Sequence, residues 1–410
     1  MYCSNCGKQI SEDVKFCPEC GADIKTGIIP IKAKSIAPTP LQARSHTGRN
    51  IAIIIILVTI LIMVPVTIFV IVPNATWGKY EESFDYYYTP ASPSGLESMD
   101  FNLDIGGMII KYNQTPTPHV AKIDVDFDIE GPFVADKTYT DYFKPISWVN
   151  TSTPITFTLE SKPDAWVFPI NWFSFLHIIT VTVTLRTDVI YEIDATTTTG
   201  GVEMTVPSGV TLGNLQLIST TGGVSLSTAK NSIFQGDLIA QTTTGGVSIL
   251  ANGANFNASV NGQTTTGGLT MNFTNCVFGG NIVGDVTTGG IDFKIYNPEF
   301  TQTSQWTLAS TTGGINIEIY QYKPIGANIT GQVTVTTGSI DVIYEDNQAS
   351  VGARFIGTTT IGGVDLANLG GFTQIGNEIL ESNDYDTASY KYTFDLHTTT
   401  GGIEVDGKSA

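Results

Sequence analysis

One motif recurs through the C-terminal half of this 410-residue chain: TTTGGVEM, STTGGVSL, TTTGGVSI, TTTGGLTM, VTTGGIDF, STTGGINI, VTTGSIDV, TTTIGGVDL and TTTGGIEV. The first glycines fall at 200, 222, 245, 267, 289, 313, 338, 362 and 401. Successive intervals run from 22 to 25 residues until the last, which is 39. A period in the twenties marks a solenoid, because one repeat cannot bury its apolar face alone and must stack on its neighbours. Nothing else in the chain constrains the fold as tightly.

After each glycine pair the residues alternate apolar, polar, apolar, the period of two of a strand. A first inward ladder reads Val202, Val224, Val247, Leu269, Ile291, Ile315, Ile340, Val364 and Ile403. A second reads Met204, Leu226, Ile249, Met271, Phe293, Ile317, Val342, Leu366 and Val405. Between them runs an outward ladder of Glu203, Ser225, Ser248, Thr270, Asp292, Asn316, Asp341, Asp365 and Glu404. The glycine pair predicts a corner at which a Cβ would clash. A coil of this length suits two or three short strands with turns. Stacking in sequence order puts Asp341 beside Asp365; a cation such as Ca²⁺ would relieve their repulsion, and so would solvation. The long last interval predicts an extra hairpin or bulge within 364–396, with TTTGGIEV as the cap.

The Thr-Gly-Gly-apolar repeat resembles the "putative adhesin" family, a β-solenoid domain of many bacterial and archaeal surface proteins. VTVTLRTDVIYEIDATTTTGGVEM is similar to that family's entry into its first coils. The resemblance covers about residues 180–410, implies a fold, and carries no catalytic residues. Residues 98–195 alternate like strands in FNLDIGGMIIKY, KIDVDFDIEG and PITFTLES, which predicts a β-rich cap joined to a solenoid over 196–410. Trp148, Trp166, Trp172, Phe173 and Phe175 are candidates for the cap's core or for a carbohydrate-stacking platform. Residues 74–97 read as a Tyr- and Pro-rich stalk.

Residues 51–72, IAIIIILVTILIMVPVTIFVIV, contain no charge, Asn, Gln or Gly. A helix of that length covers the ~30 Å hydrocarbon core of a bilayer, so one transmembrane α-helix is expected here. Lys25, Lys32, Lys34, Arg44 and Arg49 precede it without an acid among them, whereas Glu81, Glu82 and Asp85 follow soon after. The positive-inside rule then puts the N-terminus in the cytoplasm and residues 74–410 outside, a single-pass plasma-membrane topology. Residues 25–50 read as a basic linker able to touch anionic lipid.

The N-terminus reads CSNCGKQISEDVKFCPECG. Cys3 and Cys6 form one CxxC, Cys17 and Cys20 a second, each followed by glycine. Four thiolates at this spacing suit a tetrahedral Zn²⁺ and leave no open position for substrate, so the metal is structural. A redox dithiol pair is the alternative. Residues 2–24 resemble the short zinc ribbon found at many prokaryotic N-termini, and a chain so short needs such a staple.

Other chemistry is sparse. His46, His119, His177 and His397 are scattered, and Cys276 reads as a small core residue. The basic residues Lys230, Lys294, Lys323 and Arg354 are dispersed around the repeat, which disfavours a polysaccharide-acting enzyme. The net charge of −18 disfavours nucleic acid as partner. The expectation is therefore an all-β solenoid ectodomain with a β-rich cap, one transmembrane helix and a small zinc ribbon. It serves as a membrane-anchored, non-enzymatic adhesion or interaction scaffold for a cell-surface or envelope ligand. A cytoplasmic protein would partner the ribbon. A transmembrane envelope-stress sensor is the first alternative, and a β-helix enzyme the second.

Overall fold

The computed structural model of the protein describes residues 77–409, apart from 94, 116, 133, 135–136 and 163–175. The chain divides into two units, residues 1–72 and 73–410, and the described residues belong to the second. The zinc-ribbon cysteines, the basic linker and the apolar run 51–72 lie outside the described residues, as do Trp166, Trp172, Phe173 and Phe175.

The expected fold class needs a correction. The one helix among the described residues is the single turn Tyr139–Tyr142. At 1.5 Å per residue it rises about 6 Å, far short of a bilayer. No helix of the described residues is long and apolar enough to cross a membrane. The described protein is all-β, and the expected transmembrane helix, membrane anchoring and single-pass plasma-membrane localisation are withdrawn with that finding.

The β-chain winds as a three-walled coil. Each coil is named here by its corner glycine. In coil 245 the chain runs up wall two as Leu238–Thr244 and turns at Gly245 and Gly246. It descends wall one as Val247–Asn252, turns at Gly253 (φ +65°) and touches a short third wall at Asn255–Phe256. Val260–Thr266 then opens the next coil, pairing in parallel with Leu238–Thr244. Wall one is a thirteen-stranded sheet. Among the described residues no strand of wall two pairs back to close a ring, so both long walls keep free edges.

The corner chemistry explains the repeat. Ten first glycines, Gly106 among them, hold φ between +122° and +150°. From Gly200 onward, a Cβ on the first glycine would sit 1.8–2.3 Å from the carbonyl oxygen of the neighbouring coil's corner glycine. No side chain fits there, in either backbone conformation or space. The second glycine is under no such demand, and Ser339 occupies it in coil 338. Three residues before the corner an inward hydroxyl satisfies the buried carbonyl: Ser219, Thr242, Thr264 and Ser310 donate to Gly200, Gly222, Gly245 and Gly289 at 2.7–3.1 Å. Leaving such a carbonyl unpaired costs about 1–3 kcal/mol.

Both expected inward ladders are buried, Val364 alone being half-exposed. A third inward ladder joins them on the short wall. Phe234, Phe256, Phe278 and Phe300 stack with ring centroids 4.8, 5.4 and 5.3 Å apart. Each follows a left-handed turn residue: Asn231, Gly253, Asn275 or Asn297.

The two ends depart from simple winding. At the N-terminal end an extra coil is present. Glu97–Ile105 pairs in parallel with Tyr191–Thr199, and Gly107–Asn113 with Val202–Met204 across the Gly106 corner. The chain then leaves the coil and builds the antiparallel strands Ala121–Pro132 and Leu176–Arg186 before returning. Trp77–Tyr88 pairs with Ala121–Pro132 as the outermost strand, so half of the segment read as a stalk is sheet.

At the C-terminal end, stacking order departs from sequence order. Ile403–Lys408 pairs with Ile340–Asp346 on one side and with Val364–Gly370 on the other. Tyr390–Thr400 likewise lies between Ile329–Thr337 and Val351–Ile361. Coil 401 is thus inserted between coils 338 and 362, and coil 362, not TTTGGIEV, is the terminal coil. The 364–396 interval does hold a hairpin, Phe372–Ile375 with Ile379–Ser382, which packs back on Arg354–Ile356.

Candidate binding face of the solenoid

Wall one presents its outward side chains as in-register rungs, because parallel strands place equivalent residues side by side. Near the corner the rung series runs from Glu203 through Ser225, Ser248, Thr270, Asp292 and Asn316 to Asp341, Glu404 and Asp365. The first four line a shallow groove with Gly201, Gly223, Gly246 and Gly268, whose missing side chains form its floor. Asn316 Nδ2 donates to Asp292 Oδ1 at 3.1 Å.

The series ends in three acids. Asp341 and Asp365 are not neighbours, as sequence order implied; Glu404 stands between them. Ser339 Oγ donates to Asp341 at 3.0 Å. Among the described residues no group of three His, Cys, Asp or Glu is arranged to hold a metal ion, so the calcium reading gains nothing from this row.

Further along the same strands runs an aromatic and charged strip, with Tyr296 exposed and Lys294, Glu318, Tyr320 and Tyr322 half-buried. Tyr296 lies 6.1 Å from Tyr320 and 5.6 Å from Tyr322, ring to ring. Lys294 pairs with Glu318, stands 5.3 Å from the Tyr320 ring, and holds the Glu318 carboxyl below its ordinary value. Tyr320 Oη donates to Glu318 at 3.2 Å. Lys408 Nζ meets Glu345 at 2.9 Å and lowers that carboxyl too. Exposed pairs of this kind are worth at most about 1 kcal/mol each, but together they fix the rings in place. Aromatic rings with a polar rim are the composition of recognition surfaces.

The remaining sequence candidates fall apart. Cys276 is buried, and burial pushes its thiol up to about 11, as suits a core residue. His397 is exposed, with Nδ1 3.0 Å from Thr358 Oγ1, and His119 Nδ1 is 2.7 Å from Thr89 Oγ1 at the other end of the protein. Trp148 packs 6.5 Å from Phe157 and 6.3 Å from Tyr86, on the core side of the cap. The tyrosine strip was missed in the sequence; its signal is the apposition of Tyr296 and Tyr320 at one register position of adjacent coils.

Residues 2–24 match the zinc-ribbon domain family. No curated protein matches the chain. Two solved structures with a β-rich fold are similar to most of it. One is a "putative cell adhesion protein" from Clostridium sporogenes, 9% identical, covering 81% of this chain and 100% of that one, with a TM-score of 0.21. The other is a "putative adhesin" from Bacteroides fragilis, 10% identical, covering 80% and 97%, with a TM-score of 0.33.

Proposed function

We propose that the solenoid is a non-enzymatic adhesion scaffold that binds its ligand along wall one, and that the N-terminal ribbon holds one structural Zn²⁺. The observation that carries the first part is the unbroken row of in-register polar rungs, whose middle members Asp292 and Asn316 share their strands with Tyr296 and Tyr320. A rigid sheet presents such rungs without ordering cost at binding. The test uses full-length protein on immobilised glycans and on intact cells. Substituting Tyr296 and Tyr320 by Ala should reduce retention at least tenfold, while Glu203→Gln on the distant rung leaves it within twofold. Retention that no wall-one substitution alters would overturn the reading.

The second part rests on the family match and on the four thiols Cys3, Cys6, Cys17 and Cys20. Metal analysis of the full chain should give one zinc per molecule, and Cys17→Ser should reduce it below half. Zinc retained after substitution of all four cysteines would place the metal elsewhere.

A further inference from the structure

The corner glycines of coils 338 and 362 are 24 residues apart, the spacing of ordinary neighbours, yet a whole coil lies between them. The inserted segment, Tyr390–Lys408, comes from the C-terminus. It is gripped on both faces. Gly401 would place a Cβ 1.9 Å from the Gly338 carbonyl oxygen, and Gly362 would place one 1.8 Å from that of Gly401. Thr398 donates to Gly338 at 3.2 Å and Thr359 to Gly401 at 3.1 Å. Tyr392 Oη donates to the buried Gln321 at 2.8 Å, and Asn328 Oδ1 accepts from the Lys391 amide at 2.9 Å. Gly331 makes room for Phe394, whose Cδ1 lies 2.1 Å from where a Cβ would stand.

The coil above carries equivalent groups at each register position. Phe355 sits opposite Phe394, Val364 opposite Ile403, and Leu366 opposite Val405. Transferring the register across the segment, coil 362 would meet coil 338 with Phe355 over Gly331, Val364 on Ile340 and Leu366 on Val342 if the segment were withdrawn. The same ladders would then stay buried.

We infer that the slot between coils 338 and 362 is a strand-acceptor site, and that its ligand is the Tyr390–Lys408 segment of either the same chain or a second copy. Recognition is by parallel pairing on two faces, by the glycine corner and by the Phe394 pocket, none of which depends on the covalent link through residues 383–389. Exchange of an identical element between copies needs no new interface, so it yields a strand-exchanged dimer at low cost.

The experiment uses full-length protein carrying Val405→Asp, which puts a carboxylate in the buried ladder and unseats the chain's own segment. A fluorescent peptide of residues 387–410 should bind this variant at least tenfold more tightly than it binds wild type. The same peptide with Gly401→Val should lose at least tenfold. A folded variant that ignores the peptide, or takes both peptides equally, overturns the inference. If Val405→Asp does not fold, the link decides. Deleting residues 384–387 from the full chain prevents self-insertion and keeps every paired strand of slot and segment, at the loss of the Tyr385 contacts with Arg354, Lys391 and Thr393. Mixed unlabelled and ¹⁵N-labelled copies should then give dimers of intermediate mass by native mass spectrometry, and only monomers would refute strand exchange.

Discussion

Coils 200 to 338 and the two coils beyond them are built from the same motif, yet they stack by different rules. In the first group each coil lies on the one before it in sequence, through identical corner bonds such as Gly222 N to Thr244 O at 2.8 Å. In the second, coil 401 lies beneath coil 362, which precedes it in sequence. The difference shows that the repeat specifies the shape of a coil and its register, but not which coil is its neighbour. Where every coil offers the same ladders, adjacency is decided by non-local fit and by the length of the connections.

The largest expected effect breaks both regions alike. Gly267→Val in the middle and Gly401→Val in the inserted coil each force a β-branched residue into positive φ against a carbonyl. Each should cost at least ~3 kcal/mol by chemical denaturation. Gly268→Ser, which copies Ser339, should cost under ~0.5 kcal/mol; parity between Gly267 and Gly268 would undo the corner assignment. Next comes the ladder. Ile291→Asp buries an unpaired carboxylate between Leu269 and Ile315 and should cost ~3–5 kcal/mol, whereas Asp292→Asn should cost almost nothing. Hydrogen exchange should show the damage of Ile291→Asp spreading from coil 289 while distant coils stay protected.

A third expectation concerns the C-terminal region alone. Asp346 is buried beneath the chain end, and its carboxylate accepts from Ser409 Oγ at 3.2 Å and the Gln348 amide at 3.2 Å. Burial raises its pKa above the ordinary 3.8, so the folded state holds the proton more tightly than the unfolded chain. The stabilising contribution of the protonated form is full below pH 3.8 and is lost as pH rises through the folded value. Asp346→Asn should therefore raise the thermal midpoint at pH 7 and lose that advantage near pH ~3. An equal gain at both pH values would mean that the carboxylate is not the cause. The smallest effect is the sharpest on adjacency. Glu404→Lys should stabilise by ~0.5–1 kcal/mol, and double-mutant cycles should couple position 404 to both Asp341 and Asp365. Direct coupling between Asp341 and Asp365 would restore sequence order.

How much of this was legible in the sequence follows the same division. The period of two after each glycine pair placed Ile291 and Phe293 inside and Asp292 outside, because alternation in a half-buried strand is a local property. The phenylalanine ladder at 234, 256, 278 and 300 carried its own 22-residue period but was eclipsed by the stronger motif beside it. Coil 106 was hidden by Asp104 and Ile105, which stand where other corners have threonines, and by the long excursion before Gly200. The insertion of coil 401 left no local trace, since Ile403 and Val405 fit either neighbour. The tyrosine strip needed knowledge of which coils touch. The zinc-ribbon cysteines were read from spacing alone, and the described residues do not reach them.

The inserted coil also changes how the protein meets force. In a solenoid that ends where its sequence ends, tension on the last residue peels the outer coil away one hydrogen bond at a time. Here Ser409 continues a strand held on both flanks, by Ile340–Asp346 and by Val364–Gly370. A pull at the C-terminus must shear two ladders at once, along the strand direction, before any coil is freed. The strand Ile403–Lys408 thus works as a clasp, and the protein should resist tension applied through it far better than at its outermost edge.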